Sequence, residues 1–198
     1  MKEVTTDILK NLHEMANEAE DCISLIQIAF IYNNAQPLGN YKDTVGAIKK
    51  EEDHMTKAIT EYAADNPELK PYVSVSIHLL RVWDGIGKLL DLIDKKIRDN
   101  ILFSDKAVNE TTFLLQRLIE MLRPTADIIL ARNTYLSLYI KESQAGVQRR
   151  AVDYATLHEN RLIEGVCLPA ASSVYVNMLD AIKSIAWHTK EIAAKLGE

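Results

Sequence analysis

Very little in this chain punctuates it. Seven glycines and five prolines are spread over 198 residues, too few for a layout of many short strands and turns, so long helices are favoured. Only two cysteines occur, Cys22 and Cys167. They lie far apart in sequence and read as free thiols of a reducing compartment rather than as a structural disulfide. Aromatic residues make up 7%, and none alternates with basic residues as in base-stacking surfaces. Positive charge is in deficit: the net charge is -5, which argues against a sequence-independent grip on nucleic acid and against a membrane-surface role. No long hydrophobic run exists either. The longest, residues 22–32, is interrupted by Ser24 and Gln27 and is too short to span a bilayer. Asp7, Glu14 and Glu18 break up the amino-terminal segment, so no signal peptide is legible. A cytoplasmic chain without membrane insertion is the expectation.

What is present is apolar residue content of 47%, arranged with helical period. Ile8, Leu12, Met15, Ala19, Cys22, Ile26 and Ala29 recur with heptad spacing, which predicts a first helix over about residues 6–33, capped by Thr5 or Thr6. The run around Pro37 and Gly39 breaks it. Val45, Ile48, Met55, Ile59 and Tyr62 predict a second helix over about 42–64, with Glu52 in one seam slot and Asn66-Pro67 at its end. Val75, Leu79, Val82, Ile86, Leu89 and Ile93 predict a third over about 71–98. Gly85 and Gly87 inside it suggest close helix–helix approach. Ser104 reads as the cap of a fourth helix, with Phe103 stapled onto its first turn, Val108, Leu115, Leu118, Leu122 and Ile129 as its stripe, and a kink at Pro124. Asn133-Thr134 opens a fifth helix reaching about Glu164, whose seam is Leu138, Ala145 and Val152 interleaved with Glu142 and Arg149. Gly165 and Pro169 separate it from a sixth, running to about Leu196 on Val174, Met178, Ile182, Ile185, Ile192 and Leu196. The third and sixth helices match in pattern at an offset of 96 residues, as Ile86 with Ile182 and Leu89 with Ile185. The expected fold is all-α: six long helices as two pseudo-repeated, spectrin-repeat-like three-helix bundles, residues 1–100 and 101–198, packed as one compact unit.

Candidate chemistry is sparse. Glu51, Glu52, Asp53 and His54 sit together on the second helix, and Glu51 and His54 have the Glu-x-x-His spacing of carboxylate-bridged metal sites. A second such pair is absent, and a solvated charged face is the plainer reading. His78 and His188 lie near apolar stripes and read as boundary histidines. Trp83 and Trp187 read as core or inter-bundle packing residues. Ser143 to Gly146 is no nucleophile elbow, because no strand precedes it. Cys167, just before the sixth helix, reads as a small residue in a tight turn.

One resemblance spans essentially the whole chain. His158, Arg161, Leu162, Gly165 and Cys167, followed by Ile185, Ala186, His188, Ile192 and Ala193, resemble the closing motifs of the PhoU family of phosphate-uptake regulators. Phe103 to Ala107 looks like that family's opening of the fourth helix, and Lys49 to Thr56 like its acidic second-helix motif. The likeness is closest to the PhoU-like domains of sodium/phosphate cotransporter-type proteins. It implies a helical-bundle regulator that is not an enzyme. Such a protein acts through contacts with a phosphate transporter or a sensor kinase, peripheral to the inner membrane through the transporter, as a possible homodimer. A cytoplasmic domain of a longer cotransporter is the alternative, and a metal-binding bundle a further one.

Family members hold metal clusters on Glu-x-x-x-Asp pairs. Here those places carry Lys49 and Asp53, Gly87 and Asp91, Arg149 and Asp153, Lys183 and Trp187. The resemblance therefore leaves Glu51, Asp53, His54, Asp91 and Asp153 as remnant candidates for a metal such as iron, zinc or another divalent ion, with no cofactor as the main expectation. Unpaired bases repel a multivalent cation at short range. Lys49, Arg149 and Lys183 are accordingly expected to replace the metal charge by pairing with Asp53, Asp91 and Asp153, or alternatively to attract an anion such as phosphate.

Overall fold

A computed structural model describes residues 2–197. Among them are six long helices, two short 3-10 turns and no strand. They are α1 (Lys2–Tyr32), α2 (Tyr41–Asp65), α3 (Lys70–Arg98), α4 (Asp105–Ala131), α5 (Thr134–Ile163) and α6 (Pro169–Leu196). The all-α expectation holds. α1 begins earlier than the Thr5 or Thr6 cap implied, since both threonines lie inside it.

The ends follow local chemistry. Ser104 caps α4, its Oγ accepting from the Ala107 amide at 3.3 Å, and Asn133 caps α5 by accepting from the Tyr135 and Leu136 amides. Gly165 closes α5 at φ +70°, and the Val166 amide then donates back to the Arg161 carbonyl at 2.9 Å. α4 runs unbroken through Pro124.

The most extensive packing lies between the two halves of the chain, α3 along α6 and α1 along α4. α2 lies on α3, and α5 on α4 and α6. One continuous apolar core results, containing Ile26, Trp83, Ile86, Leu118, Ile129, Tyr175 and Ile185, each essentially sealed from solvent. Gly85 permits the α3–α6 approach: a Cβ there would lie 2.5 Å from Ile185 Cγ1. At one end Arg132, in the left-handed conformation at φ 47°, donates to the Glu68 carbonyl at 2.9 Å and ties α4 to the start of α3.

The α3 and α6 stripes read from sequence are buried throughout. The α5 seam is not. Leu138 and Val152 are exposed, and the buried residues of α5 are Ile140, Val147, Ala151, His158 and Arg161. Both faces of α5 carry apolar side chains, so periodicity alone could not decide which one faces the core. Tyr62 on α2 is likewise exposed. Trp83 is in the core, whereas Trp187 is 44% exposed and packs at the edge of the α3–α6 contact, against His78 of α3.

Candidate functional site

The motif from His158 to Cys167 is assembled around a carboxylate that its sequence does not contain. Arg161 makes two parallel bonds to Glu110 on α4, Nη1 to Oε1 at 2.9 Å and Nη2 to Oε2 at 2.7 Å. Tyr175 on α6 donates to the same Oε2 at 2.5 Å. Arg161 and Glu110 are each about nine-tenths buried. Charge-assisted, bidentate pairing of this kind joins strength to fixed geometry, and here it ties α4, α5 and α6 at one point. The Glu110 carboxylate holds the Arg161 charge on, and burial, then the bond to Glu110, push the Tyr175 hydroxyl pKa up.

His158 stacks on Tyr175 at 4.5 Å between ring centroids, and its Nε2 meets Ser172 Oγ at 2.9 Å. This serine–histidine contact is not a catalytic dyad. His158 Nδ1 is buried without a partner, so no acid orients the ring, and the one nearby carboxylate is engaged by Arg161 and Tyr175. Burial, and then the Arg161 charge, lower the His158 pKa. Beside it lies a pocket of about 210 Å³ lined by Phe103, Ser104, His158, Cys167, Leu168 and Tyr175.

Phe103 does not simply staple α4. Its ring meets Phe30 at 5.7 Å and Tyr175 at 5.8 Å, edge to face. Between Phe30 and Phe103 sits Lys96, 5% exposed, about 5.4 and 5.5 Å from the two ring centres. Its Nζ donates to Asn33 Oδ1 at 2.7 Å, and burial lowers its pKa. Two aromatic faces and one amide thus stabilise a lysine that, among the described residues, no carboxylate pairs.

The charged positions of the second and third helices meet in a different network from the expected one. Lys49 pairs with Asp84 at 3.7 Å rather than with Asp53. Arg81 joins Asp84 at 2.7 Å and Glu52 at 3.4 Å. The Lys49 Nζ stands beside Gly87, 3.7 Å from the point a Cβ there would take, and the closer neighbour of that point is Val45 Cγ1 at 3.1 Å. Lys183 pairs with Asp180 at 2.7 Å on its own helix, not with any of the remnant acids. Arg149 makes no ion pair among the described residues and lines a groove of about 360 Å³ with Arg117, Arg150 and Asp153. Asp91 lies across another groove from Asp180. Glu51, Asp53 and His54 are exposed on α2, and His54 borders a groove against Leu12 on α1.

Metal-cluster chemistry needs converging donors. Among the described residues no three histidine, cysteine, aspartate or glutamate side chains form a group able to hold a metal. The Lys49 amine moreover stands beside Gly87, where the family pattern has an acid. The residues present do not fit a metal cluster. Lys49, Arg149 and Lys183, on three helices with three different surroundings, do not make one shared anion site either.

The boundary histidines form the remaining polar feature. His78 Nδ1 and His188 Nδ1 are 3.0 Å apart across the α3–α6 contact, and Trp187 meets both rings edge to face. Burial is the first cause lowering both pKa values. Glu110 and Tyr175 were not visible as site residues from spacing alone. The available signal was Glu110 itself, which falls between the buried Ala107 and Leu114 on one face of α4 and therefore needs a buried cation.

Comparison with solved structures places this architecture. The crystal structure of PhoU from Pseudomonas aeruginosa matches with a TM-score of 0.80 at 15% sequence identity, covering 97% of this chain and 94% of that one. The chain has the PhoU-like fold. No family model matches the sequence, and no curated protein does. None of the described helices is long and apolar enough to cross a membrane.

Proposed function

We propose that this chain is a PhoU-like regulator of phosphate uptake or phosphate signalling, working through protein contacts and without catalysis or a metal cluster. The observation that carries this reading is the whole-length PhoU-like fold built with basic or neutral residues at the cluster positions, of which Lys49 lies against Gly87. The carboxylate of its one buried cluster, Glu110, is held by Arg161 and Tyr175, and His158 Nε2 meets Ser172. Such a frame supports a scaffold role, in which rigid helices present surfaces to a transporter or a sensor kinase.

Co-purification from the native host at low and high phosphate tests the reading. A transporter or kinase component whose recovery changes with phosphate is the expected result. Association that ignores phosphate would remove its support. Elemental analysis of the same preparations separates the metal question: stoichiometric iron, zinc or manganese lost in Asp53→Asn or Asp153→Asn would overturn the metal-free part.

A further inference from the structure

Two loops at one end of the molecule leave large apolar side chains in water. Leu102, between α3 and α4, is 63% exposed, and Val166 and Leu168, between α5 and α6, are 65% and 64% exposed. Singly such exposure is ordinary, but these three share one rim. They border the pocket of about 210 Å³ beside His158. Its inner wall is aromatic, the rings of Phe103 and His158 each packing on Tyr175. Among the described residues no charged side chain lines it. The Tyr175 hydroxyl is spent on Glu110. One polar group of the wall is left over. His158 is 3% exposed, its Nε2 is turned to Ser172 outside the lining, and its Nδ1 has no partner. Burial lowers its pKa, so the ring is neutral at pH 7. With its proton on Nε2, donated to Ser172, Nδ1 is a buried acceptor in want of a donor.

We propose that this pocket binds a small, neutral, planar aromatic molecule of about the size of indole, whose one N–H or O–H donates to His158 Nδ1. Size sets the first limit. A dry cavity of about 150 Å³ holds benzene, so about 210 Å³ suits one further fused ring. Charge sets the second. A carboxylate or an ammonium would lose its water there and gain no ion pair, because Glu110 and Arg161 already hold each other. The aromatic wall sets the third, since Phe103 and Tyr175 offer ring surface to a flat partner. Leu102, Val166 and Leu168 would then lose their water over the outer side of the bound ring. The lining comes from α4, α5 and α6, so an occupant adds to the junction that Arg161 and Glu110 make. The site does not depend on what the chain regulates, so its failure would leave the proposed function standing.

Cys167 provides the readout. It lines the pocket and is partly exposed, whereas Cys22 is sealed in the core, so iodoacetamide should reach Cys167 alone in the folded full chain. Indole is expected to slow that alkylation saturably, with the same Kd that its effect on the melting temperature gives. 3-Methylindole, which keeps the donor, should protect as indole does. 1-Methylindole has the same bulk and no donor, and should bind at least about tenfold more weakly. Indole-3-carboxylate should be weaker by a similar factor. His158→Phe should bind the two methylindoles alike. If that variant does not fold, the two methylindoles on the native chain decide the matter by themselves. Leu168→Ala, at an exposed position, should weaken indole while circular dichroism stays at the native helical signal. Alkylation that indole leaves unchanged up to its solubility limit, or equal protection by all four compounds, would overturn the proposal.

Discussion

At the scale of single residues, the tightest constraint is the Arg161–Glu110–Tyr175 cluster. A buried pair contributes little relative to a well-packed apolar replacement, but breaking it from one side leaves a charge without a partner. Arg161→Met should therefore lower the unfolding free energy by about 3–5 kcal/mol, measured in urea. Arg161→Met combined with Glu110→Leu should recover a large part of that loss. If the single and double variants are equally unstable, the cluster acts by packing and not by charge.

The histidines give a second residue-scale expectation. Burial lowers the pKa of His78, His158 and His188 below the ordinary 6.5. His78 is faced by Glu191, Lys195 and Lys190, and His188 by Arg81, Glu191 and Asp84, so nearby charges of both signs modulate the burial effect. The unfolded chain binds protons on these rings before the folded chain does. Their contribution to stability is thus complete above about pH 6.5 and declines as pH falls toward the folded-state pKa values. Urea midpoints should be flat from pH 8 to pH 7 and drop below about 6.5. The drop should be smaller in His78→Gln with His188→Gln. An unchanged drop in that variant would place the titration elsewhere.

At the scale of helices, the α3–α6 contact rests on Gly85. The missing Cβ would sit 2.5 Å from the buried Ile185 Cγ1, and Ile185 has no solvent into which to retreat. Gly85→Ala raises helix propensity by about 1 kcal/mol but overpacks the crossing by about 1–3 kcal/mol. The net expectation is a melting temperature lowered by a few degrees, read by calorimetry. A rise would mean that the α3–α6 spacing adjusts freely. Gly146→Ala on α5, where a Cβ meets nothing within 4 Å, is the matched control and should stabilise. This pair also marks what the sequence could and could not tell. Helix number and order were readable, as were the starts of α4, α5 and α6 and the end of α5, because Ser104, Asn133, Pro169 and Gly165 act locally; the Thr5 or Thr6 cap of α1 was not, since the helix begins before it. So were the seams of α3 and α6, whose apolar residues lie on one side. The facing of α5 was not readable, because Leu138–Ala145–Val152 and Ile140–Val147 are stripes of comparable apolarity and only tertiary contact selects between them. The charge partners were also hidden. Lys49 chooses Asp84 on α3 over Asp53 on its own helix, a choice fixed by where α2 lies on α3.

At the scale of the molecule, the division into residues 1–100 and 101–198 does not coincide with the main contacts. α3 packs along α6 and α1 along α4, and the Lys96 environment is built from Asn33 and Phe30 of the first half and Phe103 of the second. A core shared in this way couples the halves, since exposing either one strips apolar surface from the other, and all-or-none unfolding follows. The two tryptophans report on opposite halves, Trp83 from the centre of α3 and Trp187 from the edge of α6. Single-tryptophan chains made by Trp187→Tyr or Trp83→Phe provide the measurement, each referred to its own circular dichroism curve because Trp83→Phe also alters the core. In each chain the fluorescence and circular dichroism midpoints in urea should coincide. Arg161→Met, which acts in the second half, should move the Trp83 transition as far as the Trp187 one. Separate midpoints would mean that the α3–α6 and α1–α4 contacts are weaker than their burial implies and that each half folds for itself.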